Sequence, residues 1–335
     1  MTLMRALVTG GCGFIGSNLV HLLVSKGWKV DIIDDLSAGS IEFLEGLRIR
    51  SILGGLLPQY ESLYEHARSR DTVVAVQGDI EDPNILSRIE RGLYDTVFHL
   101  AANPRVTFSV EHPATTFDIN VTRTARLVES IRKSPSHVRL VFSSTSAVYG
   151  NVEMLPTPEA HPADPQSPYG LQKLTVEHFL RQSHRLWGLD AVSLRYANVY
   201  GPRQLGGGAY STAISAWCNA TVSGNPLRSD GDGEQTRDMV FVADVARANL
   251  LAARREESFA GQVINIGTGT RVSNNTILEH FRHRKPDIQV QAAPARLGDI
   301  RDTQLDITTA WQEIAWTPQV SLEDGLARTW EWWGL

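Results

Sequence analysis

Cysteine is scarce in this 335-residue sequence. Cys12 and Cys218 are the whole complement, too few for a disulfide framework and too far apart in sequence to suggest a metal pair. A reducing compartment, the cytoplasm, is therefore expected. Positive charge is also in short supply: 32 lysines and arginines face 37 carboxylates, a formal charge of −5, which excludes a broad basic field for nucleic acid. The densest cationic run, Arg282 to Lys285, stops at Pro286 and reads as a solvated helix end. Long apolar runs are missing too. The first candidate, Leu3 to Val8, carries Arg5 and runs straight into glycines, so neither a signal peptide nor a membrane span is expected. His280 and His283 form the one close histidine pair and have no carboxylate motif around them, so no metal is expected. Ser143 to Ser146 lack the Gly-x-Ser-x-Gly elbow of serine hydrolases. Internal repeats and low-complexity linkers are absent as well.

What remains is a globular chain, 42% hydrophobic and 21% charged, of a length that suits one large or two unequal α/β domains. Its front half alternates short β-branched runs with helical stretches. Strands are expected at Ala6–Val8, Val30–Ile33, Val73–Val76, Thr96–Leu100, Leu140–Phe142 and Ala191–Leu194, with long helices over Phe117–Ile131 and Tyr169–Leu186. The strands are continuously apolar rather than alternating, as in a parallel sheet covered on both faces. The expected fold is α/β, a Rossmann-like doubly wound parallel sheet with a smaller C-terminal α/β lobe. After Tyr200 the texture changes to loops rich in glycine and proline, although Val263–Ile266 still reads as a strand. The tail tryptophans, Trp311, Trp316, Trp330, Trp332 and Trp333, are expected to pack core and lobe, because no basic groove accompanies them.

The first strand runs into Gly10-Gly11-Cys12-Gly13-Phe14-Ile15-Gly16. Gly10, Gly13 and Gly16 give a G-x-x-G-x-x-G spacing, a variant of the dinucleotide fingerprint that lets the backbone turn tightly and approach a pyrophosphate. The following helix N-terminus offers free N–H groups and a positive dipole end. Glycines alone also fit an ordinary strand–helix turn. A second feature favours the cofactor: the next strand ends in Asp34-Asp35, at the distance expected for a carboxylate that binds adenosine ribose hydroxyls. A carboxylate there repels a 2′-phosphate and no arginine follows, so NAD is expected over NADP. Asp79-Ile80, after the third strand, flanks the adenine or is simply a turn.

Tyr169 and Lys173 stand four apart at the start of a helix opened by Ser167-Pro168, so both project from one face. An ammonium beside a phenol stabilises phenolate, as a general base for alcohol oxidation requires. Upstream, the strand Leu140–Phe142 ends in Ser143-Ser144-Thr145-Ser146, which places hydroxyls where open α/β sheets bind ligands. Thr145 is a candidate to bond the reacting oxygen.

Taken together, the glycine fingerprint, Asp34, His99-Leu100-Ala101-Ala102, the Ser-Ser-Thr run, Tyr169 with Lys173, Leu194-Arg195-Tyr196-Ala197-Asn198-Val199-Tyr200-Gly201-Pro202 and Gly231-Asp232-Gly233 through Arg237-Asp238 resemble the extended short-chain dehydrogenase/reductase superfamily. Within it the sequence is most similar to UDP-glucose (UDP-galactose) 4-epimerases. The resemblance runs in order over nearly the whole chain. It implies an isomerase in which Tyr169, Lys173 and Thr145 are catalytic. Tyr169 takes the proton of a sugar 4-hydroxyl, Lys173 tunes the phenol and holds the nicotinamide ribose, and Thr145 bonds O4. The C4 hydride is lent to NAD, and the 4-keto sugar turns over before receiving it back. The implied cofactor contacts add Phe14, Ile15, Asp35, Ser37, Gly39, Asp79, Ile80, Leu100, Ala101, Ala102, Ser143, Tyr196 and Val199 to Gly10, Gly13, Gly16 and Asp34. The implied substrate contacts are Val106, Thr145, Ser146, Tyr169, Asn198, Arg237, Arg296, Asp299 and Thr303, with Arg237 and Arg296 on phosphate and Asp299 on the uridine ribose. By this resemblance residues 1–195, joined by 236–267, form the NAD-binding domain, and 196–235 with 268–335 the nucleotide-sugar lobe.

Related reactions divide on single positions. Dehydratases and decarboxylases of this scaffold resemble one another in an acidic residue just before Val-Tyr-Gly, where this chain has Ala147; an alanine can neither move a proton at C5 nor expel a hydroxyl. A uronate epimerase is disfavoured by Leu205, where those enzymes resemble one another in having arginine. Thr303 is small and leaves room for an N-acetyl group, so UDP-glucose/UDP-galactose and UDP-N-acetylhexosamines both stay open. A nonenzymatic NAD-binding regulator has no need of Thr145, Tyr169 and Lys173 together. The helices over Phe117–Ile131 and Tyr169–Leu186 are those through which the similar enzymes pair, so a homodimer is expected. Asn103-Pro104-Arg105 and the long stretch from Leu53 to Arg70 depart from the minimal pattern, reshaping the mouth of the site or varying the surface only.

Overall fold

The computed structural model describes residues 4–55, 60–68, 73–206, 212–295 and 300–335. From the N-terminus, β1 (Arg5–Thr9) leads through the glycine turn into α1 (Phe14–Ser25), β2 (Lys29–Asp34), β3 (Ile49–Leu53), α2 (Tyr60–Arg68), β4 (Val73–Gln77), α3 (Pro83–Glu90) and β5 (Thr96–His99). Short helices α4 (Val106–Glu111) and α5 (Pro113–Phe117) precede a wide π-helical turn, Asp118–Thr122, and α6 (Arg123–Lys133). The single helix expected over Phe117–Ile131 is thus interrupted at its start. Then come β6 (Arg139–Thr145), α7 (Pro168–Trp187) and β7 (Ala191–Tyr196). Ser167 caps α7 by accepting from Gly170 N at 3.1 Å, Pro168 pre-sets its first turn, and Gly188 closes it in the left-handed conformation at φ +70°.

The rest of the chain supplies β8 (Asn198–Tyr200), α8 (Ala213–Val222), β9 (Leu227–Asp230), β10 (Thr236–Arg237), β11 (Met239–Phe241), α9 (Val242–Arg254), β12 (Gln262–Ile266), β13 (Val272–Ser273), α10 (Asn274–Arg284), β14 (Val290–Ala293), α11 (Thr308–Ile314) and α12 (Leu322–Trp333). The basic cluster at 282–285 does close a helix, α10. Of the tail tryptophans, Trp316 and Trp330 are buried and Trp332 is 38% exposed, whereas Trp311 is 61% exposed and does not pack as expected. It lies on α11, a helix of 7 residues whose buried positions are Ala310 and Ile314, so its neighbours face the core in its place.

Eight strands form one sheet in the order β12-β7-β6-β5-β1-β2-β4-β3. The pairings from β6 across to β3 are parallel. The chain leaves β1 for β2 on one side and returns to β5 on the other, so the topological switch point lies between β1 and β5, where open α/β sheets bind ligands. The edge strand β3 was not anticipated. Its Ile49-Arg50-Ser51-Ile52-Leu53 buries little besides Ile52, as suits an edge.

The chain divides into two compact units: residues 1–144, 167–194 and 246–263, and residues 145–166, 195–245 and 264–335. The first has a core of Leu7, Ile33, Val74, Val97, Leu127, Leu140, Phe142, Val176 and Leu180. In the second, Trp316 donates to Asp244 O at 2.9 Å while the Asp244 carboxylate accepts Gln319 N and Val320 N at 3.0 Å.

A buried ion pair staples the first unit. Arg139 donates to Asp190 Oδ2 at 2.8 Å and to the carbonyl oxygens of Ala252, Arg255 and Glu257, while Asp190 Oδ1 accepts Phe259 N at 3.0 Å. Removing one member strands the other without water. Asp190→Ala is expected to cost about 3–5 kcal/mol of unfolding free energy. A urea titration giving less than about 1 kcal/mol would show that the pair is idle.

Candidate active site

The glycine turn is set by close approach. Gly10, at φ +70°, donates to Ile33 O at 2.8 Å, and a Cβ there would sit 2.7 Å from Ala101 N. At Gly16 a Cβ would come within 2.0 Å of Gly10 O, so only glycine lets α1 start this near the strand end. Gly13 precedes α1, whose first turn carries no acidic residue and, among the described residues, no side-chain cap. Its leading N–H groups are left for an anion. Phe14 and Ile15 are half-buried beside it.

Asp34 ends β2 and is buried; its Oδ2 accepts Cys12 N at 2.8 Å and its Oδ1 accepts Leu36 N at 2.9 Å. Burial raises its pKa, opposed by these two bonds. Asp35 accepts Ser37 N at 2.9 Å, and Gly39 passes so close that a Cβ would lie 2.3 Å from Cys12 O. Asp79 is paired with Arg123, which also bonds Asp118 at 3.0 Å; Ile80 is in the core. Leu100 N and Ala101 N donate to Thr9 O and Thr9 Oγ1, each at 3.2 Å, and Ala102 is half-buried. His99 bridges Thr9 Oγ1 at 2.7 Å and Thr124 Oγ1 at 2.8 Å, and burial, with Lys173 adding to it, lowers its pKa to about 3. It is a neutral strut.

Tyr169 and Lys173 occupy the first turns of α7. Tyr169 N donates to Ser109 Oγ at 3.1 Å, and Lys173 Nζ donates to Ser143 O at 2.7 Å. The ammonium lies 4.7 Å from the Phe142 ring centroid and 6.0 Å from that of Tyr169. Burial lowers the Lys173 pKa to about 7, with Glu177 opposing, and raises that of the Tyr169 phenol to about 12. The protein by itself therefore keeps the phenol protonated and holds the lysine proton loosely. Val106 begins α4 and is 45% exposed.

The second unit gathers the other group. Thr145 ends β6, and its Oγ1 accepts Ala147 N at 3.2 Å, capping the short turn Ser146–Val148. Tyr196 is buried; Asn198 N donates to Asp238 O at 2.9 Å, and Val199 pairs with Val240. Arg237 donates to Thr236 O at 2.9 Å and Arg301 O at 3.3 Å, and Thr303 Oγ1 accepts Asp238 N at 3.2 Å. The Asp238 carboxylate accepts Thr268 N, Gly269 N and Leu305 N. Asn198 and Thr303 thus bond the main chain of Asp238, whose buried carboxylate ties down Thr268 to Gly269 and Leu305, and Arg237 precedes it in the chain. Arg296 and Asp299 lie outside the described residues, as do Gly207 and Gly208. Ser109, Arg123 and Gln172 were also missed, since nothing in their spacing marks them.

A parallel sheet with a glycine turn at its switch point, an aspartate closing β2 and a Tyr/Lys pair on α7 define a Rossmann-type dinucleotide-binding protein. Residues 6–267 match the model of the NAD dependent epimerase/dehydratase family, and the chain belongs to that family. It is 35% identical to the UDP-glucose 4-epimerase of Mycolicibacterium smegmatis over 97% of both chains. Among solved structures it is similar to the Thermotoga maritima UDP-glucose 4-epimerase with UDP-glucose (36% identity, TM-score 0.85, 99% of each chain). It is also similar to the Methanobrevibacter ruminantium UDP-N-acetylglucosamine 4-epimerase in complex with UDP-N-acetylmuramic acid (33% identity, TM-score 0.85, 99% of this chain and 98% of that one).

Lys173 makes a pH signature. An unfolded lysine keeps its proton up to the ordinary value of 10.5, whereas the folded chain releases it at about 7. Between those values the unfolded state binds more protons, so stability rises with pH. Lys173→Met is expected to stabilise the fold most below pH 7, with a margin that shrinks toward pH 10. Thermal melts across pH 6–9.5 in which the margin stays constant would contradict this.

Proposed function

We propose that this protein is an NAD-dependent 4-epimerase of UDP-hexoses, acting through a transient 4-keto sugar. One observation carries the reading: the unit that holds the glycine turn and Asp34 also holds Tyr169 and Lys173, with the lysine fixed to the carboxyl end of β6 through Ser143 O. The residues present fit NAD. Gly10, Gly13 and Gly16 let α1 present its N–H groups to the pyrophosphate, and the anchored Asp34 suits ribose hydroxyls and repels a 2′-phosphate. When bound, NAD supplies the acceptor and then the donor of a hydride at C4. Ser37, Gly39, Asp79, Ile80, Leu100 to Ala102, Tyr196 and Val199 complete the proposed cofactor contacts.

In this reading Tyr169 takes the proton of the 4-hydroxyl and returns it after the ketone turns over. Burial alone favours the phenol, so the base needs positive charge beside it, and the Lys173 ammonium is one source. Thr145 holds O4, with Ser146 and Val106 beside the sugar. Asn198, Arg237 and Arg296 take the diphosphate, and Asp299 the uridine ribose. Ala147 supplies no acid for dehydration, and the small side chain of Thr303 supports a substrate range that includes N-acetylhexosamines. Work in the cytoplasm is supported by two unpaired, buried cysteines.

Purified protein given UDP-galactose, UDP-glucose and their N-acetylated counterparts is expected to yield the C4 epimer by chromatography. Tyr169→Phe should lower the rate by about 10²–10⁴-fold. A dehydrated or decarboxylated product, or full activity of the variant, refutes the assignment. A homodimer is also proposed, supported by exposed Phe117 and Leu171 on the neighbouring helices α5 and α7. Sedimentation as a monomer would overturn it.

A further inference from the structure

Between Tyr169 and Lys173 stands a glutamine, Gln172, that is 2% exposed. Its Nε2 donates to Thr116 Oγ1 at 2.9 Å, and its Oε1 accepts from Asn120 Nδ2 at 2.8 Å. Asn120, 3% exposed, sits in the π-helical turn; its Oδ1 accepts Asn103 N at 2.8 Å and its Nδ2 also donates to Asn103 O at 3.1 Å. The direction of this chain of bonds is fixed from both ends. The Asn103 N–H can only donate and so faces the Asn120 oxygen, while at the other end the Thr116 hydroxyl donates to His112 O or Pro113 O and accepts from Gln172. That turns the Gln172 oxygen toward Asn120. The Asn120 amide is then fully spent on protein, leaving it no hydrogen for a ligand.

We propose that Gln172, acting through Asn120, is a positioning residue that fixes the segment Asn103–Val106 against the turn of α7 bearing Tyr169 and Lys173. This rests on the 4-epimerase reading. The segment continues directly from Leu100 and Ala101, bonded to Thr9 at the end of β1, so the link joins the glycine-turn end of the sheet to the α7 turn. Ser109, which accepts Tyr169 N, holds the same α4 segment from its other side. A wide helical turn of this kind re-aims a side chain by one residue, and here it presents Asn120 to both partners. An apolar side chain at 172 leaves buried Asn120 and Thr116 groups without their partner, and the segment relaxes rather than bear that loss.

The test uses Gln172→Leu, Gln172→Glu, Asn120→Ala and the double variant Asn120→Ala/Gln172→Leu in the full chain. Gln172→Leu is expected to lower kcat by roughly tenfold to a hundredfold, the scale of a small misplacement, with KM for the UDP-hexose within about twofold. The Asn103 amide should exchange its hydrogen at least about tenfold faster, because its acceptor is no longer held. Gln172→Glu keeps an acceptor for Asn120, so it should retain Asn103 protection and lose less kcat. The double variant should be no slower than the worse single one, because both cut the same link. Unchanged exchange at Asn103 in Gln172→Leu, or losses that multiply in the double variant, overturn the proposal. If Gln172→Leu does not fold, faster exchange at Asn103 in Asn120→Ala without a kcat loss overturns it. Absence of epimerisation by the unaltered protein defeats the 4-epimerase reading instead, and the exchange measurement still decides whether the link exists.

Discussion

A lysine ammonium held out of water against a backbone carbonyl is an uneasy arrangement, and the start of α7 is arranged around one. Lys173 reaches Ser143 O across the face of Phe142, with Glu177 one helical turn along as a compensating charge. The bond ties the first turns of α7 to the carboxyl end of β6, and it fixes where Tyr169 stands relative to the sheet. Burial and charge pull in opposite directions at this residue. Their conflict leaves the lysine proton loosely held, which suits a group whose proposed task is to bias the ionisation of a neighbouring phenol.

Around that bond the charge is kept simple by neutral struts. Burial keeps His99 uncharged, the nearby Lys173 acts in the same direction, and two threonine hydroxyls bond its ring nitrogens. At the cofactor end burial raises the pKa of Asp34 while two backbone N–H donors oppose it, and α1 faces the same region with its positive end. Asp79 is drawn into an ion pair with Arg123. Such partly exposed pairs contribute little to stability, but they fix the direction in which a carboxylate points.

Much of this was legible from residue order. The strands of the front half, the glycine turn, the aspartate closing β2 and the Tyr/Lys pair are local patterns, written within about four residues or at a fixed distance along a βαβ unit. The edge strand β3 was not legible, because Ile49–Leu53 has one buried side chain and no continuous apolar run. Nor was the break in the helix after Phe117, because the residues of the π-helical turn Asp118–Thr122 carry no mark of it in type or spacing. Trp311 shows the opposite failure, an aromatic residue whose size suggested packing while its neighbours on a short helix took the buried positions. Gln172 carried no mark at all, being one polar residue in a helix full of them.

By itself the sequence determined the parallel sheet, the site of the dinucleotide turn, and which side chains can move a proton, because periodicity, glycine and side-chain chemistry are properties of residues and their spacing. The tertiary structure alone decided which stretches share a compact unit, that Asn198 and Thr303 meet at the main chain of Asp238, and that Gln172 reaches Asn103 through Asn120. Those depend on the directions of buried hydrogen bonds between distant segments, and a buried donor finds its acceptor only once packing has excluded water from both.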